Sequence, residues 1–214
     1  AAASGITSNA IGWEAKATEE NATAIGYKAQ ANGWASFAQG ALATADGNNS
    51  ISIGDSSSTA TEAKDSVAIG SGAKTKAVNA IAIGTGAQAT GKQSISVGTG
   101  NVVSGENSGA FGDLTTISGT GSYSVGNDNT ISGGNSGAFG DTTTISGTGS
   151  YSTGNNNTIT TKDTFVVGNN VTATKENSVY LGTDAAYTAK GASTDGDAAV
   201  TEPVNVGGTL TCGG

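Results

Sequence analysis

A glycine recurs through most of this chain at a spacing of 14 residues. It closes a triplet of a small residue, an apolar residue and glycine, as in Ala68-Ile69-Gly70. Eleven of its twelve intervals are 14 residues, and the exception, Gly54 to Gly70, is 16. A short fixed period of this kind is typical of a solenoid with one repeat per coil. We expect a turn at each of these glycines: Gly12, Gly26, Gly40, Gly54, Gly70, Gly84, Gly98, Gly112, Gly126, Gly140, Gly154, Gly168 and Gly182.

The residues before each glycine alternate in size. In one copy Val67 and Ile69 are large, whereas Ser66 and Ala68 are small. Alternation with a period of two predicts a short strand with one apolar face. In seven copies a second glycine follows seven residues after the first, which predicts a second turn, because glycine tolerates positive φ. The third and fifth residues after the main glycine, such as Ala87 and Ala89, are expected to point inward. The sequence therefore predicts an all-β fold, a parallel β-solenoid of about 13 coils.

Residues 105–132 and 133–160 form a longer repeat that is identical at 23 of 28 positions. Within it an aromatic residue alternates between two positions of the strand, and its partner position becomes small when the aromatic is present. Close packing in a narrow interior favours such compensation. We therefore expect four aromatic side chains to pack one after another inside the coils: Phe111, Tyr123, Phe139 and Tyr151.

The composition excludes several classes of function. The 214 residues contain no His and no Arg, one Cys and a net charge of −8. Without His, a zinc site of the usual spacing and a His-dependent acid–base pair cannot form. An acidic chain without Arg is a poor candidate for nucleic-acid binding. We predict a protein that is not an enzyme, with no metal, no cofactor and no nucleic-acid partner.

The predicted interior is thin, because a coil of 14 residues encloses only about four inward side chains. Leu, Ile, Val and Phe together number only 34, so a single chain has difficulty burying enough apolar area. We expect association with other copies through the strand face that is rich in Ser and Ala. The chain contains no Met and no long apolar run, so we expect a piece of a longer or processed chain without a membrane-spanning segment. Cys212 is expected to be a free thiol.

The segments Asp65–Gly70, Asn79–Gly84 and Asn177–Gly182 resemble the repeat of YadA-like heads, which cap trimeric autotransporter adhesins of Gram-negative bacteria. The resemblance covers residues 7–182 and implies a left-handed β-roll of three identical chains, displayed on the bacterial surface without contacting the membrane itself. It implies binding to host matrix proteins of the collagen, fibronectin or laminin class, or to other bacterial cells. Residues 1–182 would be the head, and residues 183–214 the end of the roll or the next module. The motif residues are then candidate ligand contacts: Ser66, Val67, Ala68, Ile69, Gly70, Asn79, Ile81, Ile83, Gly84, Ser178 and Val179.

Three features of the sequence leave alternatives open. Asp113 and Asp141 follow the main glycine and could bind calcium, although the calcium-roll pattern is missing. Asn101, Asn129 and Asn157 could form an exposed ligand surface or hydrogen bonds between coils. Finally, Trp13, Tyr27 and Trp34 occupy predicted turns in the first coils, where they could bind a partner or cap the solenoid.

A second class of function is a monomeric solenoid with a Thr-rich face that binds ice or another surface. Thr115-Thr116 and Thr142-Thr143-Thr144 favour it. Against it, Thr does not fill one outward position in every coil, and the first coils are rich in Ala.

Overall fold

The computed structural model describes residues 1–187 and the backbone of residues 204–206. The chain is a parallel β-solenoid of about 13 coils, and each coil contributes one strand of three residues and one of two residues. It divides into two compact units, residues 1–117 and 118–214. The expected boundary at residue 182 stays a prediction, because most of residues 183–214, including Cys212, lie outside the described residues.

The first unit contains strands β1 to β17, numbered in chain order. The three-residue strands have even numbers: β2 (Asn9–Ile11), β4 (Thr23–Ile25), β6 (Phe37–Gln39), β8 (Ile51–Ile53), β10 (Val67–Ile69), β12 (Ile81–Ile83), β14 (Ile95–Val97) and β16 (Gly109–Phe111). The two-residue strands have odd numbers: β1 (Ala2–Ala3), β3 (Lys16–Ala17), β5 (Gln30–Ala31), β7 (Thr44–Ala45), β9 (Ser58–Thr59), β11 (Lys74–Thr75), β13 (Gln88–Ala89), β15 (Val102–Val103) and β17 (Thr116–Ile117).

The second unit continues the same alternation. Its three-residue strands are β18 (Tyr123–Val125), β20 (Gly137–Phe139), β22 (Tyr151–Thr153), β24 (Phe165–Val167) and β26 (Val179–Leu181), and β27 (Val204–Val206) pairs with β26. Its two-residue strands are β19 (Thr130–Ile131), β21 (Thr144–Ile145), β23 (Thr158–Ile159) and β25 (Thr172–Ala173).

Within each unit, every strand pairs in parallel with the equivalent strand of the next coil. The register is 14 residues, as for Val67 opposite Ile81. At the 16-residue interval the register becomes 16, with Val67 opposite Ile51 and Lys74 opposite Ser58. The two extra residues therefore lie between β9 and β10. Parallel pairing at the strand spacing of a sheet stacks identical positions of the repeat into columns.

Four columns point into the coil and hold small or medium-sized side chains, except at Tyr180, which is completely buried in the last described coil. They lie four and two residues before the main glycine and three and five residues after it, as for Ser66, Ala68, Ala73 and Thr75, which are at most 1% exposed. The inward pair that we expected after the glycine is thus confirmed. In the first coils these columns form a cluster made only of Ala. In the second unit Ile131, Ile145 and Ile159 fill one of the columns.

The prediction that Phe111, Tyr123, Phe139 and Tyr151 pack inside the coils was wrong. Their exposed fractions are 42, 47, 50 and 39%. In a three-residue strand the middle residue points inward, and the large first and third residues point outward. The interior is too narrow for four large side chains per coil, so the buried middle residue is small in most strands, with Val166 and Tyr180 as the exceptions in the last coils. Gly137 lies on the outer face with Phe139, and a Cβ there would lie 3.0 Å from Cδ1 of Tyr151.

The Ser and Ala face that we expected to associate with other copies also points into the coil and not outward. The Ser and Ala side chains of the strands are buried inside the coil, as for Ser52, Ala82 and Ser124, each at 0% exposure. They are not available to a second chain. The face that the single chain leaves open is instead the one that carries large apolar residues.

The turns depend on two different backbone requirements. Gly140 has φ of +136°, and a Cβ there would lie 2.2 Å from the carbonyl oxygen of Gly154 in the next coil. Gly133, in the second glycine column, lacks positive φ, but a Cβ there would lie 2.1 Å from the carbonyl oxygen of Gly147. The second column is thus glycine because coils approach closely, and not because of positive φ as we expected. Residues with a left-handed backbone conformation follow the glycines of both columns by two positions and are often Asn or Asp, such as Asn135 and Asn156.

Candidate functional site

The motif residues expected to touch a ligand separate into an inner and an outer set. Ser66, Ala68 and Ser178 are inside the coil, with at most 3% of each exposed. The other members lie at turns or on the outer face of the three-residue strands: Gly70, Gly84 and Asn79 at turns, and Val67, Ile69, Ile81, Ile83 and Val179 on the outer face. Binding of a ligand by these residues stays a prediction.

The outward residues of the three-residue strands form what we call the apolar face. Each is the first or third residue of its strand, and many keep more than a third of their surface exposed. In the first unit the most exposed members are Ile11, Ile51, Ile83 and Phe111. In the second unit they are Tyr123, Val125, Phe139, Tyr151, Phe165, Val167, Val179 and Leu181. Rows of exposed large apolar side chains are uncommon on isolated soluble proteins and mark contact surfaces.

The aromatic side chains of the apolar face cover each other within the second unit. The ring centroids of Tyr151 and Phe165 are 6.1 Å apart, with a tilt of 37° between the rings. Tyr151 also lies beside Gly137, which is buried although it is on the outer face. A glycine and an aromatic on neighbouring strands thus share one volume, and this explains their alternation in the longer repeat.

The buried asparagines connect neighbouring coils, which confirms the structural alternative for this column. Asn101 is completely buried; its Oδ1 accepts a hydrogen bond from the backbone N–H of Thr115 at 2.8 Å. In the second unit Asn157 does the same for Val171 at 2.9 Å, and its Nδ2 donates to the carbonyl of Gly168 at 2.7 Å. Buried polar groups require such partners. These amides are inside the coil and do not form a ligand surface.

The acidic residues after the main glycine belong to a hydrogen-bonded column on a turn. Oδ1 of Asp141 accepts a hydrogen bond from the backbone N–H of Asn127 at 2.7 Å, and the backbone N–H of Asp141 donates to Oδ1 of Asn155 at 2.8 Å. Oδ1 of Asp113 likewise accepts from the N–H of Thr99 at 2.6 Å. Each carboxylate therefore binds the preceding coil. No group of three or more potential metal ligands occurs in the described part of the chain.

A cluster of aromatic and charged side chains stands on one turn of the first coils, and we call it the aromatic turn. Trp13 and Tyr27 stack with ring centroids 5.1 Å apart and an interplanar angle of 9°, and they are 59 and 49% exposed. Nζ of Lys28 lies 5.2 and 5.4 Å from the two centroids and 3.6 Å from Oε2 of Glu14. Tyr27, and then Glu14, raise the pKa of Lys28. Trp34 is also exposed but occupies the other turn.

Sequence reasoning anticipated only part of a third surface: of the threonines proposed for a Thr-rich face, Thr144 belongs to it, whereas Thr115 and Thr143 are buried inside the coil. It consists of the outward positions in and beside β19, β21, β23 and β25 in the second unit, and we call it the hydroxyl face. Its members form two columns, Thr130, Thr144, Thr158 and Thr172 in one, and Ser132, Ser146, Thr160 and Thr174 in the other. The signal was present as the repeated tripeptides Thr-Ile-Ser and Thr-Ile-Thr.

The comparisons with known proteins agree with this geometry. The family model of the YadA head domain repeat matches residues 3–29, 31–57, 62–87 and 89–114. No curated protein shows a significant match to the chain. The described residues include no helix that combines the length and the apolar character needed to cross a bilayer.

The matched repeats are non-enzymatic structural units, and the proteins that carry them are surface-exposed adhesins of the outer membrane. The matched residues are the 14-residue coils described above, each with a small inward residue two positions before the turn glycine. Within residues 3–114 the chain consists of YadA head domain repeats and in this part belongs to the YadA head family, whose repeats are typical of trimeric autotransporter adhesin heads.

Proposed function

We propose that three copies of this chain form the head of a bacterial surface adhesin, wound as left-handed β-rolls. The observation that carries the proposal is the apolar face. Phe139 and Phe165, for example, are 50 and 45% exposed in the single chain. Full burial of a large apolar side chain contributes about 1.5–3 kcal/mol, so covering half of each one adds roughly 1 kcal/mol. A row of such residues supports a stable interface between copies.

This arrangement would assign separate roles to the sides of the coil. The Ser and Ala side chains fill the interior, and the apolar face would be covered by the other two copies. The turns and the two-residue strands would remain in contact with solvent. Ligand contacts are therefore expected there, rather than on the motif residues Val67, Ile69 and Val179, which would lie in the interface.

The ligand class that we propose is a host matrix protein of the collagen, fibronectin or laminin type, or the same head on another bacterial cell. The head would be extracellular and held at the outer membrane by other parts of the adhesin, without touching the membrane or nucleic acid itself. Three identical copies present each weak site three times, and multivalency then raises the overall affinity without any new contact.

The aromatic turn is the best candidate for contact with a protein ligand. Exposed Trp and Tyr side chains dominate the energy of many interfaces because they bury large areas with few rotatable bonds. Stacking between Trp13 and Tyr27 orders both rings before binding. The adjacent ion pair between Lys28 and Glu14 holds the cation beside the rings.

The test is solid-phase binding of the purified chain to immobilised collagen, fibronectin and laminin. We expect saturable binding to at least one of them, and the double variant Trp13→Ala/Tyr27→Ala should weaken it at least tenfold, which corresponds to about 1.4 kcal/mol. Trp34→Ala is the matched control, because this exposed ring lies on the other turn. Absence of binding to all three proteins and to a second head would contradict the proposed function.

A further inference from the structure

We propose that the hydroxyl face of the second unit binds the surface of ice, an activity separate from adhesion to proteins. The first observation is register. Thr130 pairs with Thr144, Thr144 with Thr158, and Thr158 with Thr172 along successive parallel strands. Equivalent hydroxyls therefore repeat at the strand spacing of about 4.8 Å. The second column lies two residues further along each coil, about 6.6 Å away for an extended chain.

The second observation is that these hydroxyls are available. Seven of the eight side chains are exposed and Thr158 is half-buried. Within the described residues, none of the eight hydroxyls hydrogen-bonds to another side chain or to the backbone. This differs from the inward hydroxyls, such as those of Ser136 and Ser150, which donate to the carbonyls of Gly147 and Thr161. The outward hydroxyls are left to bind water.

The third observation is charge. None of the eight positions carries an ionisable group. The equivalent positions of the first unit include Lys16, Lys74 and Lys76, together with Asp46. The same fold thus carries a mixed charged face in one unit and an uncharged hydroxyl face in the other. The hydroxyl face complements an uncharged partner and offers no counter-charge to an acidic or basic one.

The fourth observation concerns the kind of uncharged partner. The hydroxyl face lacks the Trp, Tyr and Arg side chains that anchor protein interfaces, and its residues repeat from coil to coil in two parallel columns. Thr presents a hydroxyl and a methyl group, so a Thr column holds water by hydrogen bonds and confines it beside apolar carbon. Water bridging such regularly spaced groups is itself regularly spaced. A partner that matches both the repeat along each column and the separation of the two columns is a crystal lattice, and the lattice made of hydrogen-bonding water is ice.

The interior of the second unit holds the hydroxyl face rigid. Ile131, Ile145 and Ile159, each between two outward hydroxyl residues, are completely buried. Asn129 and Asn157 fix adjacent coils to one another through buried hydrogen bonds. A face that is held rigid from behind loses little conformational entropy when it binds a lattice, and this favours adsorption.

The experiment measures the freezing and melting points of a single ice crystal in a solution of the full chain. We expect a gap between the two temperatures, faceted crystals, and enrichment of the chain in slowly growing ice. The variants Thr144→Lys and Thr158→Lys place a charge in the centre of the hydroxyl face and should abolish all three effects. Thr44→Lys is the matched control, since Thr44 occupies the equivalent position in β7 of the first unit and should change none of them.

Circular dichroism on each variant confirms that the β-structure and its melting temperature are retained. Round crystals without a freezing gap for the unmodified chain would overturn the proposal. Equal gaps for the unmodified chain and both central variants would overturn it as well. Binding of the face to a neutral polysaccharide in the absence of a gap would assign it to a glycan instead. Matrix-protein binding, measured on the same samples, is independent of all these outcomes.

Discussion

The side chain of Asn129 fastens its own coil to the next one through Thr143. Oδ1 of Asn129 accepts a hydrogen bond from the backbone N–H of Thr143 at 2.8 Å, and Nδ2 donates to the carbonyl of Gly140 at 2.6 Å. The side chain is completely buried. Coil-to-coil bonds of this kind satisfy backbone groups at a turn where the strand ladder has ended.

Replacement of Asn129 by Leu should destabilise the second unit. Leu has the same branched outline, with methyl groups in place of the amide oxygen and nitrogen, but leaves the N–H of Thr143 and the carbonyl of Gly140 without this partner, and unsatisfied buried groups cost about 1–3 kcal/mol each. Thermal and urea denaturation measure the loss. Thr130→Leu is the matched control, because this neighbouring side chain is exposed and its replacement should change stability by no more than about 0.5 kcal/mol. Equal stability of the two variants would contradict the role of Asn129.

Replacement of Gly140 by Ala should destabilise the chain strongly. The residue has φ of +136°, and the new Cβ would lie 2.2 Å from the carbonyl oxygen of Gly154. Strain and collision together should cost about 3 kcal/mol or more, observed as a lower melting temperature.

Gly72→Asn is the control for that substitution. Gly72 has φ of +67°, and a Cβ at this position would have nothing within 4 Å. Asn156 and Asn170 adopt a similar φ in equivalent turns. Asn tolerates the left-handed conformation, so we expect a change of less than about 0.5 kcal/mol. A large loss here, or none at Gly140, would show that close approach of the coils is not what requires glycine.

The amino group of Lys28 should titrate at a higher pH than an ordinary lysine. Its pKa is raised, first by the electrostatic effect of the neighbouring Tyr27 and then by that of Glu14. Because the folded-state pKa is the higher one, the stabilising contribution is fully present below the unfolded-state pKa and is lost as pH rises through the folded-state pKa. The side chain is solvent-accessible, so this contribution is small.

Nuclear magnetic resonance of the Lys28 side chain measures this titration directly. Tyr27→Phe removes the largest cause and should lower the pKa more than Glu14→Gln does. The same measurement on the urea-unfolded chain supplies the reference. A Lys28 pKa that is no higher in the folded chain than in the unfolded one would argue against the arrangement of the aromatic turn.

Much of the fold could be predicted from the period of the glycines, because stacking in a solenoid repeats every coil at the same spacing. It was also predictable that Ala87 and Ala89, which follow Gly84, point inward, since small residues at alternate positions fit a narrow interior. The prediction failed for the strand before the glycine, because it assigned the wrong side chains of that strand to the interior. An alternation such as Val67-Ala68-Ile69 has an apolar and a small face, and the rule that large apolar residues are buried selects the wrong one here.

The reason for that failure is the volume of the coil. In most coils the four inward columns are filled by small or medium-sized residues, which leaves no room for Phe111 or Tyr123; Tyr180 is buried only in the last described coil. In the proposed head, other copies of the chain bury these large residues, whereas local sequence rules consider only one chain. The Thr-rich face proposed from the sequence contained only part of the hydroxyl face for a related reason. Its Thr and Ser residues are a low-complexity pattern in the sequence, and only the strand register places Thr130 beside Thr144.

The measurement that tests the central claim most directly is the solution mass of the chain, by light scattering on a sizing column. If the apolar face is the interface between three copies, the mass should be three times 20.5 kDa. Phe139→Lys combined with Phe165→Lys should lower it to the mass of one chain, while Thr144→Lys on the other sheet should not. A mass of 20.5 kDa for the unmodified chain at every concentration, or a trimer that both lysines leave intact, would contradict the account.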